Sequence, residues 1–200
     1  RDTIEVSVDA LLESREPSLR VTLAAALIQP EKFELVLQKG TELGIFAFVP
    51  LVTERTEVRP ERIVGKRERW EKIVMEAVKQ SGRSIAPSIE AATSLESVLR
   101  RNGQKVLFEA DQPTTFEPQV GEKVLLIGPE GGWSDGEIQQ AIAAGASCPR
   151  LGPRRLRAET ASIAAAVFLM NRCGDLPCRG LLQTGSVPLA PPETTRIYPP

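Results

Sequence analysis

The chain reads as an α/β protein built on a parallel sheet, with one domain taking up most of its length. Three observations predict this. Short apolar, β-branched runs alternate with longer stretches of helical periodicity, the pattern of repeated strand–helix units. The 200 residues are 42% hydrophobic and 26% charged, enough for one ordinary core. An apolar run, Leu125-Leu126-Ile127, breaks into Gly128-Pro129-Glu130-Gly131-Gly132 and then into a capped helix. Such a strand–turn–helix junction is where α/β sheets place their ligands.

The elements follow in order. Ile4 to Val8 alternates like a half-buried strand, and a polar break follows at Glu13 to Ser18. Leu19 to Ile28 is nearly all apolar and reads as a buried strand. Pro30 and Glu31 open a helix to Leu43, with Phe33, Val36 and Leu37 inward and Gly44 as its stop. Ile45 to Leu51 is a second strand. Pro60 is expected to begin a long helix ending near Gln80-Ser81-Gly82-Arg83, with proline in the first turn, where its missing N–H costs nothing. Ile63, Trp70, Ile73, Val74, Ala77 and Val78 share one face of it. Thr93-Ser94-Leu95-Glu96 fits a capping box for a short helix to about Arg101. Lys105 to Glu109 and Lys123 to Ile127 read as strands. Ser134-Asp135-Gly136-Glu137 is another capping box, opening a helix to about Ala144. Cys148 to Leu151 reads as a last short strand, and Glu159 to Arg172 as an Ala-rich helix. From Asp175 onward prolines recur without periodicity, which predicts an extended tail.

Composition narrows the chemistry. Net charge is −1, so a nucleic-acid surface would have to be a local basic patch. The sequence holds no histidine, which removes His-based triads, His metal sites and His general bases. Its three cysteines form no CxxC pair, which fits a reducing cytoplasm and no metal site. No apolar run approaches the ~18 residues that suggest a membrane span.

Two loops carry the candidate site. The first is the Gly128–Gly132 turn; glycines let a backbone approach a ligand closely. It is neither a Walker loop nor a dinucleotide fingerprint, and by itself it also reads as a tight connection. The second is Leu151-Gly152-Pro153-Arg154-Arg155-Leu156-Arg157-Ala158-Glu159-Thr160-Ala161. Arginines at a helix amino end oppose its dipole, a cost that an anionic or carbonyl-bearing ligand would offset. Solvated charges with an Arg157–Glu159 surface pair remain the alternative. The basic stretch Arg62 to Lys79 is interspersed with glutamates and reads mainly as a solvated face; Gln80 and Arg83 at its end are better candidates for phosphate contact. Lys39 and Glu42 read as a helical i,i+3 pair, Trp70 as core, and Trp133 as a cover for the ligand turn or for a partner subunit.

Three blocks together resemble the RsmE branch of the SPOUT RNA methyltransferases, which methylate N3 of a uridine in small-subunit ribosomal RNA. They are Gln38 to Gly44 running on to Pro50, Glu76 to Arg83 with Pro87, and Ile127 to Asp135 with Leu151 to Ala161. Their order and spacing match over roughly residues 19 to 173. The resemblance implies a SPOUT-type α/β fold with a carboxyl-terminal trefoil knot, an exception to the rule against threaded chains. It implies S-adenosyl-L-methionine as cofactor, 16S rRNA as substrate, and a homodimer. It divides the chain into residues 1–18, a remnant of an otherwise absent PUA-like barrel or a linker; 19–174, the methyltransferase domain; and 175–200, the tail. Departures are Arg155 where the family carries an apolar residue, Ala158 where it carries threonine, and Gln29 where lysine is common.

On this resemblance Ile127, Gly128, Glu130, Gly131, Gly132, Leu151, Gly152, Leu156, Thr160 and Ala161 would hold the cofactor. Glu159 would take the uracil N3 proton and Arg157 would stabilise charge on the uracil oxygens. Arg55, Arg83 and Arg154 would position RNA, and Glu130 is open to a second role as acid or base. Two other readings stand beside this one: a SPOUT ribose 2′-O-methyltransferase acting on tRNA or rRNA, and a non-catalytic RNA-binding or assembly module that would not bind the cofactor.

Overall fold

The computed structural model describes residues 14–108 and 115–176. The expected strand at Ile4 to Val8 and nearly all of the proline-rich tail lie outside the described residues. Within them, a wholly parallel sheet runs in the order β3-β2-β1-β6-β5. Its strands are β1 (Val21–Ala26), β2 (Ala47–Val52), β3 (Ser88–Ile89), β4 (Thr93–Ser94), β5 (Gln104–Leu107) and β6 (Lys123–Ile127). The two-residue β4 pairs with the end of β2, beyond β3. The helices are α1 (Pro30–Glu42), α2 (Arg67–Ser81), α3 (Leu95–Leu99), α4 (Asp135–Ala143) and α5 (Ala158–Arg172).

Parallel strands are buried on both faces, so their two side-chain sets feed two separate cores. Leu23 and Ala25 of β1, Phe48 of β2 and Leu125 and Ile127 of β6 face α1, α2 and α5. There they meet Phe33, Val36 and Leu37, Trp70, Val74 and Val78, and Ala165, Leu169 and Met170. Ala24, Val49, Leu51, Val124 and Leu126 face the other way, against Leu95, Val98 and Ala141 of α3 and α4. Trp70 is core as expected, 2% exposed and stacked at 4.8 Å on Phe33.

Several boundaries differ from expectation, each for a local reason. Pro60 does not open the long helix. It starts one of two short 3-10 turns, Pro60–Arg62 and Val64–Lys66, and α2 begins only at Arg67. Gly65 lies between, and glycine is a poor helix interior. The cap of α3 is shifted by one residue: Ser94, not Thr93, accepts the N–H of Ser97. At Ser134 both bonds of the expected capping box form, with Glu137 returning the bond to the Ser134 N–H. Cys148 to Leu151 is not a strand. The chain touches β5 only through a single bridge, Val106 to Ser147, and then leaves the sheet. Strands β3 and β4 were not expected at all.

Between Ser147 and Ala158 the chain passes from the α3–α4 face, where Cys148 is buried, to the α5 face. The connecting loop crosses the carboxyl edge of the sheet beside the end of β6. This crossing, with the Gly128–Gly132 turn next to it, builds the site.

Candidate active site

Three strand ends and the crossing loop converge at the carboxyl edge. After β6 comes Gly128 to Trp133, after β5 comes Phe108, after β2 comes Arg55, and the crossing loop supplies Arg150 to Leu156. They enclose an open cavity of about 570 Å³. That lies in the size range of pockets for cofactor-sized ligands, and its place at the strand ends is where ligands bind in parallel α/β sheets.

The first loop is held rigidly from below. A tight turn closes with the N–H of Gly132 donating to Pro129 O at 2.9 Å, and Gly132 takes a left-handed φ of 73°. The Trp133 side chain folds back under the loop, 4% exposed, and its indole N–H donates to Phe108 O at 3.3 Å. A Cβ on Gly128 would lie 3.0 Å from that indole. Gly128 therefore has a packing reason to be glycine, the room it leaves for Trp133, and it also lines the cavity. Gly131 is similar: a Cβ there would sit 3.2 Å from Arg55 Cβ. Arg55 Nη1 donates to Gly131 O at 3.1 Å and to Trp133 O at 3.0 Å. Lys32, in the first turn of α1, pairs with the Glu130 carboxylate. Arg155 donates to the Glu130 carbonyl at 3.2 Å, tying the second loop to the first.

The second loop needs glycine for its backbone: Gly152 has φ 108°, and a Cβ there would meet nothing within 4 Å. It ends at Arg157, the N-cap of α5, whose carbonyl accepts the N–H of Ala161 at 2.7 Å.

Of the expected cofactor residues, Ile127, Gly128, Glu130, Gly131, Gly132, Leu151, Gly152, Leu156 and Ala161 line the cavity, as do Arg55 and Arg154. Thr160, Arg157 and Glu159 do not line it. Arg157 and Thr160 are exposed beside it, and Glu159 is buried at 9% exposure. Among the described residues, Glu159 Oε2 has no hydrogen-bond partner. A buried carboxylate oxygen without a donor is costly and marks a group awaiting one. Arg83 lies far from the cavity, at the opposite edge of the sheet, with its donors committed to protein acceptors. Phe108 and Arg150 line the cavity and were missed. Phe108 is the residue after a strand whose neighbour is β6, so its position was legible once the two strands were paired; Arg150 carried no local signal. Trp133 covers the ligand turn from beneath, one of its two expected placements.

A family model described as an RNA methyltransferase domain matches residues 15–170. The chain belongs to this family. It is 38% identical over 169 residues to ribosomal RNA small subunit methyltransferase E of Synechocystis, covering 79% of this chain and 55% of that one. It is 30% identical to the Aquifex aeolicus protein of the same name, covering 85% and 77%. The solved structure of the Neisseria gonorrhoeae enzyme of that name, bound to S-adenosyl methionine, superposes with a TM-score of 0.70 at 31% identity, covering 78% of this chain and 67% of that one. The chain thus spans little more than half the length of the Synechocystis relative.

Proposed function

We propose that this chain carries the catalytic domain of an S-adenosyl-L-methionine-dependent methyltransferase acting on N3 of a uridine in 16S rRNA. We further propose that it works as a homodimer on the small ribosomal subunit in the cytoplasm. The observation that carries this reading is the cavity between the two loops at the carboxyl end of β6, in a family whose Neisseria gonorrhoeae member binds S-adenosyl methionine.

The residues present fit that cofactor. Phe108, Leu151 and Leu156 offer apolar surface for an adenine ring, and the backbones of Ile127 to Gly132 and Leu151 to Gly152 offer polar groups for ribose and methionine. When bound, S-adenosylmethionine supplies a methyl group already activated on a sulfonium. The chain's own residues must then hold the uracil and remove its N3 proton. Glu159 does not line the cavity but stands in the chain between Ala158 and Ala161, which do, and its buried, unbonded oxygen is the acceptor we assign to that proton. Arg157, exposed at the N-cap of α5, stabilises the negative charge that spreads to the uracil oxygens. Arg55 shapes the first loop through Gly131 and Trp133, and Arg154 faces the RNA backbone.

Calorimetric titration with S-adenosylmethionine and its demethylated product tests the first half of this reading. Saturable binding at one site per chain supports it, and no heat of binding refutes it in favour of a non-catalytic RNA-binding role. Methyl transfer to unmethylated small subunits, with mass spectrometry of the nucleosides, tests the second half. Glu159→Gln and Arg157→Ala should lose activity by ~100-fold or more while keeping cofactor affinity, within the usual range for a general base or charge stabiliser. Ribose methylation in place of base methylation would overturn the N3 assignment, and near-normal turnover in both variants would remove the assigned roles.

A further inference from the structure

The edge of the sheet opposite the cavity holds a second built arrangement. Helices in a parallel α/β sheet run back against their strands, so α1, α2 and α5 all end at the amino edge. Carbonyl groups left over at helix ends need donors, and the dipoles there favour cations. Arg83, just past α2, meets both needs. Its Nη1 donates to Thr41 O and Ile45 O, each at 2.9 Å, around the end of α1. Its Nη2 donates to Glu16 Oε2 at 2.8 Å, and its side chain is 4% exposed.

Glu16 is bound from the other side as well. Its Oε1 accepts the N–H groups of Ser84 at 2.7 Å and Ile85 at 3.0 Å. The residues flanking it cover two left-handed glycines. Arg15 Nη1 lies 2.7 Å from where a Cβ of Gly82 would stand, and Pro17 occupies the Cβ site of Gly44. Gly44 has φ 92° and Gly82 φ 69°. The backbone of Ser18 bonds to Asp175, just past α5. Residues 15–18 therefore cross the ends of three helices, and each of the four residues has its own receiving group.

We infer that the blocks Thr41–Ile45 and Gly82–Ile85 form a docking socket for the chain's own segment 15–18, with Glu16 as its anchor. The socket fixes where segment 15–18 joins the domain. This gives two of the three family blocks a role separate from the cavity: they receive the entering chain. The inference stands independently of the methyl-transfer reading, since it needs no cofactor and no RNA.

Hydrogen–deuterium exchange and limited trypsin digestion of the whole chain test it, comparing the wild type with Glu16→Gln and Arg83→Lys. The first keeps the shape of Glu16 and removes its charge; the second keeps the charge and loses the planar fork. In Glu16→Gln, the Ser84 and Ile85 amides should exchange at least tenfold faster and cleavage after Arg15 and Arg20 should accelerate, while the β6 amides keep their protection. Arg83→Lys should give a smaller change at the same sites. Unchanged exchange at Ser84 and Ile85, or unchanged cleavage, overturns the socket. Loss of β6 protection along with the rest also overturns it, because the pair would then hold up the whole fold rather than dock one segment.

Discussion

The two edges of the sheet use the same side chain in opposite ways. At the carboxyl edge, Arg154 and Arg157 stand exposed around an open cavity, and Arg55 and Arg155 bond to backbone carbonyls of the loops. At the amino edge, Arg83 is buried and its fork is consumed by the chain: two helix-end carbonyls and the Glu16 carboxylate. Sequence context around the two is similar, since Arg83 follows Gly82 at the end of α2 and Arg154 lies two residues after Gly152, just before α5. Burial separates them. A guanidinium left in water is available to a ligand at little cost, whereas one taken out of water must find its acceptors inside the protein. The cavity end is thus organised for something that arrives, and the socket end for something already attached.

The comparison breaks most severely at Arg83. Arg83→Met would leave the half-buried Glu16 carboxylate without its charge partner and the Ile45 carbonyl without its Arg83 donor, while Thr41 O keeps the Gly44 N–H. Removing one member of a fully buried pair costs about 3–5 kcal/mol; with Glu16 partly exposed and still bonded by Ser84 and Ile85, urea unfolding should show a loss no larger than the lower end of that range. Cofactor affinity per folded molecule should stay unchanged, because the cavity lies at the other edge. Equal losses at both ends would show that the edges are coupled.

At the cavity edge the sharpest perturbation is Gly128→Val. The added atoms would press into the Trp133 indole and displace it from Phe108 O. Overpacking of this kind costs about 1–3 kcal/mol. Here the order of effects should reverse: a modest fall in stability, a shift in tryptophan emission and at least a tenfold loss of cofactor affinity. Wild-type affinity in the variant would mean that the Trp133 support does not shape the cavity.

These asymmetries also explain what was legible in the sequence. The strand β6, its glycine turn and the Ser134–Glu137 box are coded within about fifteen neighbouring residues, and all three stand where expected. The loop of Leu151 to Ala161 was legible as a partner of that turn because its signals are also local. The socket was not legible: Arg83 was expected among RNA contacts because its acceptor, Glu16, lies 67 residues away and no periodicity links them. Strands β3 and β4, two residues each, are too short to show any pattern and exist only because β2 offers them an edge. Cys148 to Leu151 follows a single bridge to the edge strand β5 at Ser147, and Pro149 has no N–H with which to extend that pairing, so the segment became the crossing loop. The three glycines of the turn line the cavity, and the structure adds constraints invisible in the sequence: the Trp133 indole at Gly128, the Arg55 side chain at Gly131 and a left-handed φ at Gly132.

Acid should separate the two edges in a different way. Burial by itself would raise the Glu16 carboxyl, but its bonds from Arg83, Ile85 and Ser84 outweigh this and hold it below its ordinary value of 4.5. Glu34 is also lowered, chiefly by its bond from Arg69, against an opposing effect of burial. A carboxylate whose folded value is depressed contributes stability that is present above its unfolded value and lost as pH falls through the folded one. Asp175 works the other way, because burial raises it more than the Ser18 N–H and Arg83 lower it. Stability should therefore decline below about pH 4.5, less steeply than Glu16 and Glu34 alone would dictate. In Glu16→Gln the decline should flatten, with segment 15–18 already released at neutral pH. An acid limb of unchanged steepness in that variant would remove Glu16 from the account.

The smallest expected effect lies on the exposed arginines. Arg154 is at the cavity rim and makes no side-chain hydrogen bond or ion pair among the described residues, so Arg154→Ala should leave stability within about 0.5 kcal/mol, as for most surface changes. If it meets an RNA phosphate, its removal should lower RNA affinity and reduce the slope of log K against log salt by about 0.7 to 0.9. Arg67→Ala supplies the control. Arg67 is exposed at the start of α2, is paired with Glu71 at 2.9 Å, and does not line the cavity. Its loss should cost no more than the usual ~0.5 kcal/mol of a helical i,i+4 pair and leave the salt slope alone. Equal changes in slope for the two variants would mean that RNA is held by diffuse charge over the whole surface, and the contrast between a receiving edge and a docking edge would then lose its electrostatic half.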